Sequence, residues 1–428
     1  MTAITGSSPL SSLLRLVRAR ATWLTAVDIA AILLALSLPW STTLVAVFAV
    51  LMLIGMVPFM DIEALLRSLR RPISVVPIAL FVLAVAGTLW STATWGERLY
   101  AVGPTVKLLM LPFLFYHFER SERGQSVFIA FLISCALLAV ISWIVAYYPQ
   151  LTLKAPGQDS RGIFVKNYID QSQEFTLCAV ALAYPVVELF RNRRISRALL
   201  LCAVAAGFVL TMIFVIVSRT ALVTTPIMLV VFGLMHLRWR TSLAILCVTI
   251  AVAGLAWATS PQLERTVKAF STEYQLYSEL GVATSIGERL EFWKKSSRFF
   301  VEAPLTGHGT GSIRGLFEHA ATGSADLASA QIIGNPHNQT LNVAVQWGIV
   351  GIALLYAMWL LHLLTFRGES LADWIGLLVV VQNIFTSLFN SHLFDFHEGW
   401  MYVLGVGIAG GMVIRPRSAT KALRTGRS

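Results

Sequence analysis

Twelve apolar stretches follow one another along the chain, near 23–40, 42–60, 73–92, 99–116, 126–148, 173–190, 198–217, 219–236, 241–259, 339–364, 370–391 and 399–414. A helix crossing a hydrocarbon core of about 30 Å takes roughly 20 residues and must satisfy its own backbone polar groups. The pattern therefore predicts an all-α polytopic membrane protein with about twelve transmembrane helices. Of its 428 residues, 56% are hydrophobic and 13% charged, and the mean hydropathy is +0.72, far from the composition of soluble domains. The first stretch follows Arg15, Arg18 and Arg20 and is too long for the apolar core of a signal peptide, so it reads as an uncleaved first helix. Cys135, Cys178, Cys202 and Cys247 all fall inside apolar stretches, which argues against a loop disulfide or a thiolate zinc site.

Basic residues orient such a chain, because cytoplasmic loops collect Lys and Arg. With both termini cytoplasmic, the inner segments hold 20 of the 33 basic residues, from Arg15 to Arg427. The net charge of +11 is then mostly topology and contact with anionic lipid. Partners are membrane lipids and no nucleic acid, since no basic face with interleaved aromatics is present. Lys107 falls within a span, and the remaining basic residues fall on the outer side. Of these, Arg161, Lys166 and Arg219 occupy short outer connections, where the bias disfavours them, and anion binding at that face is a reason to keep them.

One segment, 260–336, is too polar for lipid and too long for a simple connection. The chain thus divides into 1–259 with nine spans, a large, partly helical outer loop over 260–337, and 338–428 with three spans and a basic tail. Within the loop, "TSIGERLEFWKKSSRFFVEAP" reads as an amphipathic helix with Leu290, Trp293, Phe299 and Phe300 toward apolar surroundings and Arg289, Lys294 and Arg298 elsewhere. Gly307, Gly309 and Gly311 after Pro304 make a turn able to offer backbone N–H groups to an oxyanion.

Several constellations carry chemistry. In "SRTA", Arg219 opens an apolar span, where free amides and the helix dipole favour an anion and a guanidinium matches phosphate bidentately; an interfacial arginine on lipid headgroups gives the same pattern. "DSRGIFVKNYIDQSQ" adds Arg161, Lys166, Asn167 and Gln171, donors rather than acids. His337 in "GNPHNQT" stands before Asn338 and Gln339 at a helix start, and an imidazole there suits a general base; a helix-capping histidine looks the same. Asn390, His392, Asp395, His397 and Glu398 fall on the same face. Asp395 and Glu398 beside the two histidines are a loose metal alternative, but the preferred reading needs no metal and no cofactor. The chain lacks a Walker A loop and a GxSxG elbow, which disfavours an ATP-driven pump.

"SIGERLEFWKKSSRFFVEAPLTGHGTGS" followed by "PHNQTLNVAVQWGIVG" resembles the C-terminal signature of the O-antigen ligase and polymerase superfamily, with Gly348 and Gly351 as its Gly-x-x-Gly. "RGIFVKN" and "SRTALV" resemble its earlier blocks, so the likeness runs over roughly 150–400. The resemblance implies a GT-C-like glycosyltransferase of the bacterial inner membrane that works at the periplasmic face on a glycan carried by undecaprenyl diphosphate. It also implies that Arg219 and Arg289 engage the diphosphate and that His337 activates the acceptor, with Arg161, Lys166 and Arg265 as further diphosphate candidates and Asn167, Asn338, Gln339, Asn390 and Asp395 in support. With one dominant outer loop, the chain looks most like the ligase branch, which joins O-antigen to lipid A-core. A polymerase or a protein O-oligosaccharyltransferase is the alternative in the same superfamily, and a transporter of a lipid-linked glycan the alternative outside it. Transporters show repeated halves and ionisable residues near the bilayer midplane, whereas this sequence concentrates its charges on one face.

Overall fold

The computed structural model describes residues 20–154, 162–237 and 239–425; the candidate Arg161 lies outside them. The described chain is helical throughout, without a strand, and its one β-type contact is an isolated bridge between Val282 and Leu327. In order the helices are α1 (Arg20–Ser37), α2 (Thr42–Met56), α3 (Ile62–Leu69), α4 (Pro72–Ala86), α5 (Trp95–Val106), α6 (Met110–Phe118), α7 (Gly124–Tyr147), α8 (Tyr168–Ala181), α9 (Ala183–Arg191), α10 (Ile195–Phe214), α11 (Arg219–His236), α12 (Trp239–Thr259), α13 (Pro261–Leu280), α14 (Ser285–Glu302), α15 (Ile313–His319), α16 (Gln339–Thr365), α17 (Leu371–Thr386) and α18 (Phe396–Thr425).

Eight stretches among the described residues are long and apolar enough to cross a membrane, or nine if α3 and α4, bent by 75° against each other, count as one span. Of the twelve expected stretches, those near 73–92, 241–259, 370–391 and 399–414 lie outside the eight, the first of them within that bent pair. The stretch at 370–391 leaves the helix after Thr386, so α17 has only 16 residues. The stretch at 173–190 lies within a counted span, Tyr168–Arg191, that begins earlier than expected and consists of two helices meeting at Leu182.

Local chemistry fixes many of the boundaries. Thr94 and Glu97 form a reciprocal capping box at α5, and Ser370 and Asp373 do so at α17, satisfying amides that have no helical partner. Gly281 closes α13 in the left-handed conformation. The main core gathers buried side chains of α1, α2, α6, α16, α17 and α18, and a second cluster joins α7, α8 and α10.

Long-range bonds sort the connections into two ends of the bundle. At one, Tyr184 bonds the carbonyl of Glu369, Arg71 bridges to Glu119, and Arg415 bonds the carbonyl of Ser121. At the other, Ser260 bonds the carbonyl of Ile213, Thr310 that of Gly87, and Asn338 that of Leu388. That second end carries 260–338.

The amphipathic helix expected there is α14, over the expected residues. Its buried face is centred on Phe292 and Phe299, which pack edge-on against Phe317, rather than on Trp293 and Phe300, one position further along. The glycine turn differs more. Its N–H groups face no open space: His308 and Gly309 donate to the carbonyls of Val345 and Gln346 at 2.8 and 2.9 Å, and Gly311 donates to the Gln346 side chain at 2.8 Å. They can do so because α16 is broken at Gly348 (φ 58°, ψ −152°), a conformation open only to glycine. The break frees helical carbonyls for the turn, while Ile349 N–H bonds the carbonyl of Pro304 at 2.8 Å. The turn is thus a structural clasp for α16, not an oxyanion cradle.

Candidate active site

Arg219, Arg265 and Arg289 line one cavity of about 530 Å³, with Tyr168, Ser218, Thr220 and Ser285 among its other polar residues. Three helix beginnings converge there, those of α8, α11 and α14, and α13 supplies Arg265. Among the described residues, no acceptor takes a hydrogen bond from Arg265 or Arg289. Burial draws the Arg289 guanidinium below the ordinary arginine range, opposed by Tyr168, and the Arg219 charge acts with burial. Arg219 is committed. Its Nη1 donates to Glu273 Oε2 at 3.0 Å and its Nη2 to Glu273 Oε1, and the guanidinium stacks over the Phe270 ring at 4.7 Å. The hydrogen bonds from Arg219 hold the Glu273 carboxyl below the usual carboxylate range.

His337 stands beside this cavity along α14. Its ring stacks on Phe292 with 6.2 Å between centroids, and its carbonyl accepts from Trp293 Nε1 at 3.4 Å. Phe292 is three residues after Arg289, about one helical turn of 5.4 Å. The backbone at His337 is left-handed, with φ 52°, unusual for a residue with a Cβ. Asn335 stabilises it by accepting from His337 N–H at 3.0 Å and from Ser391 Oγ at 2.7 Å.

The imidazole is oriented by a two-step chain. Nδ1 meets Asn390 Oδ1 at 2.8 Å, and Asn390 Nδ2 donates to Asp395 Oδ2 at 2.8 Å. A carboxylate only accepts, so the Asn390 amide nitrogen faces Asp395 and its oxygen faces His337. That network assigns the proton of neutral His337 to Nδ1 and leaves the lone pair on Nε2. Burial pulls the His337 pKa below its ordinary value, with the Asn390 bond opposing and the Arg289 charge adding to the fall. The net shift favours the neutral ring, the form a general base requires.

Other candidates are structural here. Lys166 does not line the cavity; it pairs with Glu174 at 3.0 Å, both buried, and also bonds the carbonyl of Leu38. Asn167 caps α8 by accepting from Ile169 and Asp170 N–H at 2.8 and 2.9 Å. Asn338 caps α16, accepting from Leu341 N–H at 3.0 Å. Gln339 is fully buried and ties the start of α16 to 387–395: its N–H bonds the carbonyl of Ser387 at 2.9 Å, and its Oε1 accepts from Leu393 N–H at 3.0 Å. Sequence reasoning missed Glu273, Tyr168 and Ser218. Ser218, quoted with Arg219, and Tyr168, quoted with Lys166 and Asn167, were within its reach.

His392, Asp395 and Glu398 bring one donor atom each within 4.8 Å of one another, and His392 Nδ1 lies 3.3 Å from Asp395 and 3.5 Å from Glu398. In identity and spacing the three could hold a small divalent cation. Lys107 opposes this, because its ammonium bonds the carbonyls of Phe394, at 3.2 Å, and of Asp395. Burial works against the His392 imidazolium, but Glu398 and Asp395 outweigh it and push the pKa up to about 10. The cluster is balanced by its own cations. His397 pairs separately with Asp170 at 2.7 Å.

Residues 201–356 match the family model described as O-antigen ligase, a stretch running from α10 through Arg219, Arg265, Arg289 and His337 into α16. No curated protein matches the chain.

Proposed function

We propose that the chain, whose residues 201–356 match the O-antigen ligase family model, is the ligase: an inverting, metal-independent glycosyltransferase joining O-antigen from undecaprenyl diphosphate to lipid A-core. One observation carries the reading. Arg219, Arg265 and Arg289 share a cavity, and the oriented His337 imidazole stacks on Phe292, about one turn along α14 from Arg289.

A transferase at the periplasmic face of the inner membrane has no ATP to draw on, so the driving force comes from the diphosphate leaving group. The diphosphate enters the arginine cavity, and the guanidinium groups of Arg265 and Arg289 stabilise the charge that grows on it as the anomeric C–O bond breaks. His337 Nε2 takes the proton of an acceptor sugar hydroxyl, whose oxygen bonds to the anomeric carbon from the opposite side. One displacement inverts the centre, leaving undecaprenyl diphosphate and a protonated His337. The charge at Asp395, relayed as orientation through Asn390, favours that imidazolium.

Purified protein with undecaprenyl diphosphate glycan and rough lipopolysaccharide, without nucleotide and with EDTA present, should yield glycan on lipid A-core. Glycan lengthening on the carrier with none on lipid A-core would assign the polymerase branch, and transfer to a protein acceptor the oligosaccharyltransferase branch. Loss of all transfer with EDTA, restored by a divalent ion, would overturn the metal-independent mechanism.

A further inference from the structure

Six helices that begin at the same end as the cavity have first-turn amides satisfied by a side chain: Ser41 for α2, Thr94 for α5, Asn167 for α8, Ser260 for α13, Thr284 for α14 and Asn338 for α16. The 18-residue helix α11 does not. Ser218 holds its N-cap position with extended backbone (φ −115°, ψ 128°), yet the side chain makes no capping bond. Its hydroxyl is buried and has no partner among the described residues, although the residue lines the arginine cavity. A buried hydroxyl without a partner has a cost. Here it stands beside the N–H groups of Arg219 and Thr220, which precede the first helical bond, from Leu222 N–H to Ser218 O at 3.1 Å.

The commitment of Arg219 to Glu273 sharpens the point. With both terminal nitrogens bonded to that carboxylate, the side chain has little left for a second bidentate partner. Other donors lining the cavity include Arg265 and Arg289, which have no acceptor among the described residues, the Ser218 hydroxyl and the first-turn amides of α11. We propose that Ser218 is a phosphate-binding residue: its hydroxyl and the α11 amides hold one phosphate group of the diphosphate, while Arg265 and Arg289 hold the other. Arg219 then serves through its main chain as much as through its guanidinium. A helix N-terminus with a hydroxyl beside it is well matched to a phosphate group. This inference rests on the reading that the cavity takes the donor's diphosphate.

The test uses full-length protein in nanodiscs and inorganic pyrophosphate as the probe, its binding measured by calorimetry for wild type, S218A, S218T and R289A. S218A should bind about tenfold more weakly, the loss expected for one hydrogen bond to a charged group, and S218T, which keeps the hydroxyl, within about twofold of wild type. The thermal midpoint of S218A without pyrophosphate should not fall, because the hydroxyl caps nothing in the unliganded protein; a fall would assign Ser218 a structural role and overturn the proposal. Weak binding by R289A with wild-type binding by S218A would also overturn it and leave the diphosphate reading standing. Wild-type affinity in both variants would remove the diphosphate reading itself.

Discussion

Replacing Asn390 with alanine isolates the device that orients His337. In the wild type the imidazole donates from Nδ1 to Asn390 Oδ1 at 2.8 Å, and Asp395 fixes the amide from the other side at 2.8 Å. The substitution removes a bond worth about 1 kcal/mol, a factor of about five, and frees both the ring orientation and the tautomer. A poorly aimed base costs more, so kcat should fall by about ten- to a hundredfold. KM for the lipid-linked donor should stay within about twofold, because Asn390 touches none of the arginines. The sign of the pH effect follows from the same geometry. A base works only when neutral, so kcat/KM rises with pH through the His337 pKa and then levels; with burial the leading influence, that midpoint lies below 6.5. The Asn390 bond favours the protonated ring, so N390A should shift the acidic limb to still lower pH and lower its plateau. N390D places a carboxylate at Nδ1 and should shift the limb upward. Glycan transfer from pH 5 to 8 reads all three. N390A with wild-type kcat and an unmoved limb would refute the orientation argument.

H337A should lose about 10²- to 10⁴-fold in transfer while still binding inorganic pyrophosphate; full activity would remove the base assignment. R289K keeps the charge but not the planar fork, and should lose about tenfold in kcat/KM, so unchanged turnover would argue against bidentate contact with phosphate. G348A would force a side chain into left-handed backbone and against the carbonyl of Leu305, costing about 3 kcal/mol or more. Its thermal midpoint should drop by several degrees, and an unchanged midpoint would show that α16 does not need its break.

The sequence pattern was sufficient for the helical bundle and for α14 at 285–302, because hydrophobic period is a local property, and it singled out Arg219, Arg265 and Arg289, which line one cavity. Pairings were not readable. Glu273 faces Arg219 across 54 positions, and Lys107 meets the backbone of Asp395 across 288. Nothing in a local window marks such partners. Lys166 looked like an anion ligand for the same reason: its true partner, Glu174, is hidden inside an apolar stretch two turns along α8. The glycine turn misled because flexible backbone announces that N–H groups are free to be placed, but not where. Their acceptors arise only once α16 breaks at Gly348.

In the proposed reaction, the carboxylate clasped by Arg219 bears on how quickly a used carrier would depart. A trap lined by three bare guanidinium groups would grip its triply charged product and stall between turnovers. With Glu273 already seated in one fork, the proposed reaction would release its spent lipid from a partly neutralised basin.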